Sequence, residues 1–120
     1  MSDQIPSALA EQIAFDEFMH VDIRIGTVTA AEEFPEARAP AYKLTIDFGA
    51  LGARRSSAQI TKYYSPGELV GKQVVCVLNF PPKRIAGFVS EVLILGAVLG
   101  AGDVVLLRPE RQVINGARVA

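Results

Sequence analysis

The residues best suited to binding chemistry sit in one stretch, Asn79-Phe80-Pro81-Pro82-Lys83-Arg84-Ile85-Ala86-Gly87-Phe88-Val89-Ser90-Glu91. Two prolines stiffen it, so little entropy is lost when it meets a partner. Lys83 and Arg84 supply charge for phosphates, while Phe80 and Phe88 supply flat apolar faces. Such a segment can stack bases between cations or hold apolar side chains of a polypeptide. It can equally be a plain hairpin whose phenylalanines close the bottom of a core.

Covalent chemistry has few candidates. His20 and Cys76 are the only histidine and cysteine. With no companion ligands they predict no metal site, and nothing predicts a cofactor. No nucleophile-elbow spacing surrounds His20. Cys76 lies in an apolar run and predicts an inert core thiol in a reducing, cytoplasmic setting. Gly100-Ala101-Gly102 leads into Val104-Val105-Leu106-Leu107, a strand, whereas phosphate cradling uses a helix N-terminus. Glu32, Glu33 and Glu36 lack the Asp/Asn/Gly pattern of a calcium loop. The chain is expected not to be an enzyme.

The elements that must carry the binding segment are mostly strands. Ser7 is a candidate cap for a short helix in which Leu9 and Ile13 lie four apart, followed by Phe15 and Phe18. Val21, Ile23 and Ile25 then alternate with polar residues, and after Gly26 the apolar positions become Val28 and Ala30. A parity change at glycine predicts a bulged, curving strand. Tyr42, Leu44, Ile46 and Phe48 alternate with Lys43, Thr45 and Asp47, the pattern of a half-buried strand. Gly49 to Gly52 predicts a turn, and Arg54-Arg55-Ser56-Ser57 a polar strand. Ser65-Pro66-Gly67-Glu68 predicts a capped helical turn. Val74 to Leu78 is unbroken apolar, hence a strand covered on both sides. Val92 to Leu95 and Val104 to Leu107 supply further strands. Short strands, glycine turns and one helical turn between the third and fourth strands predict an all-β fold. Its expected form is a five-stranded OB-fold barrel with a short N-terminal helix.

Bulk properties narrow the partners. The chain has 120 residues, room for one domain, and half are hydrophobic. The longest apolar run, Val92 to Leu99, is far short of a membrane span, so no membrane insertion is expected. The surplus apolar surface predicts a subunit interface or a binding groove. The acidic Met1-Ser2-Asp3-Gln4 start predicts no signal peptide. Net charge is −1, yet residues 1–37 hold eight acids and one base, and residues 38–84 hold eight bases and two acids. The middle third can therefore present a basic face, although the whole chain is not a nonspecific nucleic-acid binder.

Several segments together resemble the tRNA-binding OB domain, found free-standing and appended to some aminoacyl-tRNA synthetases, and within it the branch of export-associated chaperones. They are Val21-Asp22-Ile23-Arg24-Ile25-Gly26, Glu33-Phe34-Pro35-Glu36-Ala37-Arg38, Lys43 to Gly49, Ser56 to Thr61, Asn79 to Glu91, and Gly102-Asp103-Val104-Val105-Leu106-Leu107. The resemblance spans about residues 15–118. It implies a helical extension over 1–20 and an OB domain over 21–120. It also implies a homodimer that holds unfolded secretory precursor proteins or peptides, with tRNA recognised by shape as the alternative. Carried over by position, Lys43, Arg54, Arg55, Lys83, Arg84 and Ser90 face RNA. The apolar residues expected to meet a polypeptide are Phe34, Phe48, Phe80, Pro81 and Phe88.

Overall fold

The computed structural model describes residues 8–120. A five-residue helix α1 (Phe15–Met19) precedes the long strand β1 (Ile23–Glu33), then β2 (Tyr42–Asp47) and β3 (Ala53–Ala58). The short helix α2 (Pro66–Leu69) leads into β4 (Gln73–Val77). A hairpin of β5 (Lys83–Ile85) and β6 (Phe88–Ser90) follows, then β7 (Leu93–Ile94) and a second hairpin, β8 (Gly96–Val98) and β9 (Val104–Leu106).

The main sheet is antiparallel in the order β3-β2-β1-β4-β7 and curls into a nearly closed barrel of OB type. Side chains help to complete the seam between β3 and the segment before β7. The Ser56 hydroxyl donates to the Val92 carbonyl at 2.8 Å, and the Ser57 N–H donates to Ser90 Oγ at 3.0 Å. Helix α2 forms where expected, its Ser65 N–H donating to Glu68 Oε1 at 2.7 Å. Its Leu69 is fully buried against the barrel interior. The N-terminal helix is shorter than the Leu9–Ile13 spacing predicts. Residues 9–14 are not helical, Leu9 and Ile13 are exposed, and the predicted cap at Ser7 lies outside the described residues.

Two apolar layers share β1 and β4. Val28, Leu44, Ile46, Phe48, Val74 and Cys76 fill the barrel. On the outer face, Ile23, Ile25, Val75 and Val77 form a second cluster, covered by Phe18, Val21, Val113, Ala117 and Val119. The expectation for Val74 to Leu78 therefore holds, with alternate residues serving opposite layers. The expected slip at Gly26 is corrected. Gly26 lies on the barrel-interior side of β1, opposite Val74, where a Cβ would come within 2.6 Å of Ile46 Cγ2. The irregularity lies between Val28 and Ala30, after which Ala31, not the exposed Ala30, packs inward.

The backbone edge of β1 that β2 leaves free is taken by the C-terminal segment. Ile25 N–H donates to the Ala117 carbonyl at 2.9 Å, and Val119 N–H donates to the Ile23 carbonyl at 2.8 Å. Gln73 and Asn115 pin this strap. Gln73 exchanges hydrogen bonds with the Val113 backbone at 2.8 and 3.0 Å, and Asn115 Oδ1 accepts from Thr27 Oγ1 at 2.7 Å.

Candidate polypeptide and RNA interface

Strand pairing sorts the predicted RNA-facing residues. Lys43 lies opposite Ser57, and Thr45 opposite Arg55, all on the outward face of β2 and β3. Arg54 has the other parity. It pairs with Ile46 on the barrel side and its guanidinium donates to the Leu51 carbonyl at 3.0 Å, so the two adjacent arginines do not act together.

The β5–β6 hairpin folds against the outward face. Its two turn residues, Ala86 and Gly87, have φ of 47° and 82°, as a primed two-residue hairpin turn requires. Lys83 pairs with Ser90 and Ile85 with Phe88, which puts these four on one face, while Arg84 and Val89 take the opposite face. Lys83 thus sides with Lys43 and Arg55, and Arg84 does not. The Ser90 hydroxyl already accepts from Ser57, a structural role. The Arg55 N–H donates to Glu91 Oε1 at 3.0 Å and its carbonyl accepts from the Glu91 N–H at 2.8 Å.

Phe34 and Phe88 pack under this hairpin with ring centroids 5.4 Å apart. Together with Ala41 they form a small buried cluster outside the barrel. Above it sit two cations. Lys43 Nζ is 4.8 Å from the Phe34 centroid and 5.7 Å from that of Phe88, and Arg55 Cζ is 4.3 Å from Phe88. Among the described residues neither cation forms an ion pair. Glu32, the cross-strand neighbour of Lys43, stays beyond ion-pair distance.

The predicted polypeptide-facing residues separate in the same way. Phe48 is wholly buried inside the barrel, and Phe34 and Phe88 are only 3% and 6% exposed. Their rings are core and satellite-core elements, which corrects their placement on an open apolar face. Half of this outcome matches the alternative in which phenylalanines close a hairpin onto a core. Phe80 is 52% exposed, and with Pro81 it borders a cleft of about 610 Å³ between the β5–β6 hairpin, β7 and β8. Ile60, Ile85, Leu93 and Val98 continue its apolar wall, and Lys83 and Glu91 also line it. Leu93 and Val98 were not legible as wall residues. They lie within the unbroken apolar run Val92 to Leu99, which has no alternation to tell inside from outside.

Cys76 and Tyr42 lie in the barrel core, apart from this surface. Cys76 is fully buried and desolvation pushes its pKa up to about 12, so the thiol stays protonated and sealed. Burial, then the nearby Glu33 and Glu68 carboxylates, raise the pKa of Tyr42. Its phenol stays protonated and donates to the Tyr64 carbonyl at 2.7 Å. Among the described residues no group of three or more His, Cys, Asp or Glu side chains is placed to hold a metal ion, and no helix is long and apolar enough to cross a membrane.

Comparison with known proteins bears on this geometry. The family described as "Putative tRNA binding domain" matches residues 23–118. The methionine–tRNA ligase of Porphyromonas gingivalis is 41% identical over 111 residues, 92% of this chain but 16% of that enzyme. The chain thus spans about a sixth of the curated ligases it matches. Among solved structures, chaperone CsaA from Bacillus anthracis is 59% identical with a TM-score of 0.88, covering 92% of this chain and 100% of that one. The CsaA chaperone protein from Picrophilus torridus is 47% identical with a TM-score of 0.84, covering 91% and 100%. By profile, sequence and shape together, the chain belongs to the tRNA-binding domain family, as a protein of CsaA type.

Proposed function

We propose that this protein is a non-enzymatic molecular chaperone of the cytoplasm that holds unfolded segments of secretory precursor proteins before export, working as a homodimer. The observation that carries this reading is the cleft beside Phe80, whose apolar wall includes the exposed side chains of Phe80, Leu93 and Val98. The likeness to two chaperone structures over nearly the whole described chain supports it. A disordered client loses ordering entropy on binding, so each cleft holds it weakly, and two clefts on one dimer raise the avidity. Val105 of β9 and Leu107 just after it are exposed and offer apolar surface suited to pairing. The test is suppression of aggregation of a chemically unfolded enzyme. Wild type should delay it, and the double variant Phe80→Ala, Val98→Ser should need at least threefold more protein for the same delay. Equal protection by the folded variant removes the cleft from the mechanism.

A second reading, tRNA binding, has its own observation: Lys43 and Arg55, unpaired among the described residues, share the outward face of β2 and β3, and Lys83 lies on the hairpin face that carries Phe88. OB barrels bind nucleic acid on such a face and its flanking loops. If about three phosphates are neutralised, log affinity for tRNA should fall with log salt at a slope of roughly −2 to −3. A flat response, or no binding at low salt, removes this reading.

A further inference from the structure

We propose that Arg55 carries an unpaired nucleobase of RNA on the outer side of its guanidinium, with Phe88 as the fixed plate beneath it and Lys43 as the neighbouring phosphate contact. The inference rests on the RNA reading above and changes its content from recognition of helical shape to capture of a single-stranded nucleotide.

Four observations converge on Arg55. Its guanidinium lies 4.3 Å from the centroid of a ring that is itself buried and braced by Phe34 at 5.4 Å, so the plate cannot swing away. Its backbone is fastened on both sides to Glu91, which fixes where the side chain starts. Among the described residues no hydrogen bond or ion pair engages the guanidinium, and the residue is exposed. Finally, Lys43 Nζ lies near the same pair of rings, so two cations without an ion-pair partner among the described residues share one aromatic base. Placing like charges side by side is unfavourable unless an anion joins them.

The ring faces are buried beneath these cations, so a base cannot lie directly on Phe34 or Phe88. The flat surface left to it is the guanidinium, a plane on which RNA-binding proteins stack splayed bases. A base inside a duplex is already stacked on both sides and has no face to offer, so the ligand is a loop, bulge or single-stranded end. Lysine cannot replace arginine in this role, because an ammonium is a point charge without a plane.

The test uses the full chain, a short single-stranded RNA carrying one 2-aminopurine, and the same sequence annealed as a duplex. The single strand should bind more tightly than the duplex, and the 2-aminopurine fluorescence should change on binding. Arg55→Lys should keep the salt slope, weaken single-strand binding about tenfold and abolish the fluorescence change. Phe88→Leu, which keeps an apolar filler, should reproduce the weakening with the fold intact by circular dichroism. Lys43→Gln should lower the salt slope by about one and leave the fluorescence change in place. Wild-type-like behaviour of Arg55→Lys, or equal binding of the duplex, overturns the stacking site while RNA binding stands. Absence of saturable binding to either RNA and to tRNA overturns the RNA reading and this inference with it.

Discussion

Gly26 shows how one missing side chain sets a fold. The space its Cβ would need is filled by Ile46 Cγ2 at 2.6 Å and by the Phe48 ring at 2.7 Å. Gly26→Ala should therefore cost ~1–3 kcal/mol through overpacking, measured by urea unfolding against wild type. Cys76 makes a prediction with a definite sign. Its native pKa is raised from 9.0 to about 12 by burial, so above pH 9 the unfolded thiol ionises while the native one does not. The native state then binds more protons, and its stability falls as pH rises from about 9 toward 12. Subtracting the profile of Cys76→Ala from that of wild type should isolate this loss, and native Cys76 should resist thiol reagents until the chain unfolds. At this scale much was legible: the inert thiol followed from its apolar run. The phenylalanines were less so, because a ring's composition says it is apolar but not whether another segment will cover it. Phe34 and Phe88 are covered by each other across 54 residues of sequence, and Phe80 is not.

Among the elements, β1 is the most instructive. Its apolar residues change parity not because the backbone slips at glycine but because the strand passes from one buried layer to another. Ile23 and Ile25 serve the outer cluster, and Val28 the barrel. Periodicity reports burial and cannot name the side that is buried. β2 was fully legible, since one face meets the interior along its whole length. The β5–β6 strands were not, because they are three residues long and their pairing depends on the Ala86-Gly87 turn. The C-terminal strap was also invisible, because its few apolar contacts, Val113, Ala117 and Val119, are supplemented by polar clamps from Gln73 and Asn115 that no periodicity reports. Asn115→Ala strands the partners on Thr27 and Gln73 and should cost ~1–3 kcal/mol. Hydrogen exchange should accelerate at the Ile25 amide, which faces the strap, and at the Val119 amide within it, while β2 and β3 amides keep their protection.

At the scale of the whole molecule, the acidic start and basic middle of the chain do not merge into a mixed surface everywhere. Lys43 and Arg55 come together over the paired Phe34 and Phe88 rings and Lys83 lies on the hairpin face that carries Phe88, whereas Arg54 and Arg84 are turned away by strand alternation. A charge block in the sequence therefore yields a smaller basic face than its count suggests, and only register decides which members join it. The proposed homodimer has a direct thermodynamic signature. Its melting temperature should climb with protein concentration, and sedimentation should give twice the 12.9 kDa chain mass. A concentration-independent melt at the monomer mass would remove the two-cleft mechanism.

The strap along β1 also bears on how the protein is made. Ile23, near one end of the described chain, is capped by Val119, near the other. A nascent chain emerging from the ribosome presents β1 before the strap, with its outer row of Ile23 and Ile25 facing water until residues 113–119 have been synthesised. The barrel can curl up before then, but its outer layer cannot be sealed. For a protein proposed to shelter unfinished polypeptides, its own biogenesis includes an interval in which it shows the kind of greasy strand it would otherwise shield in others.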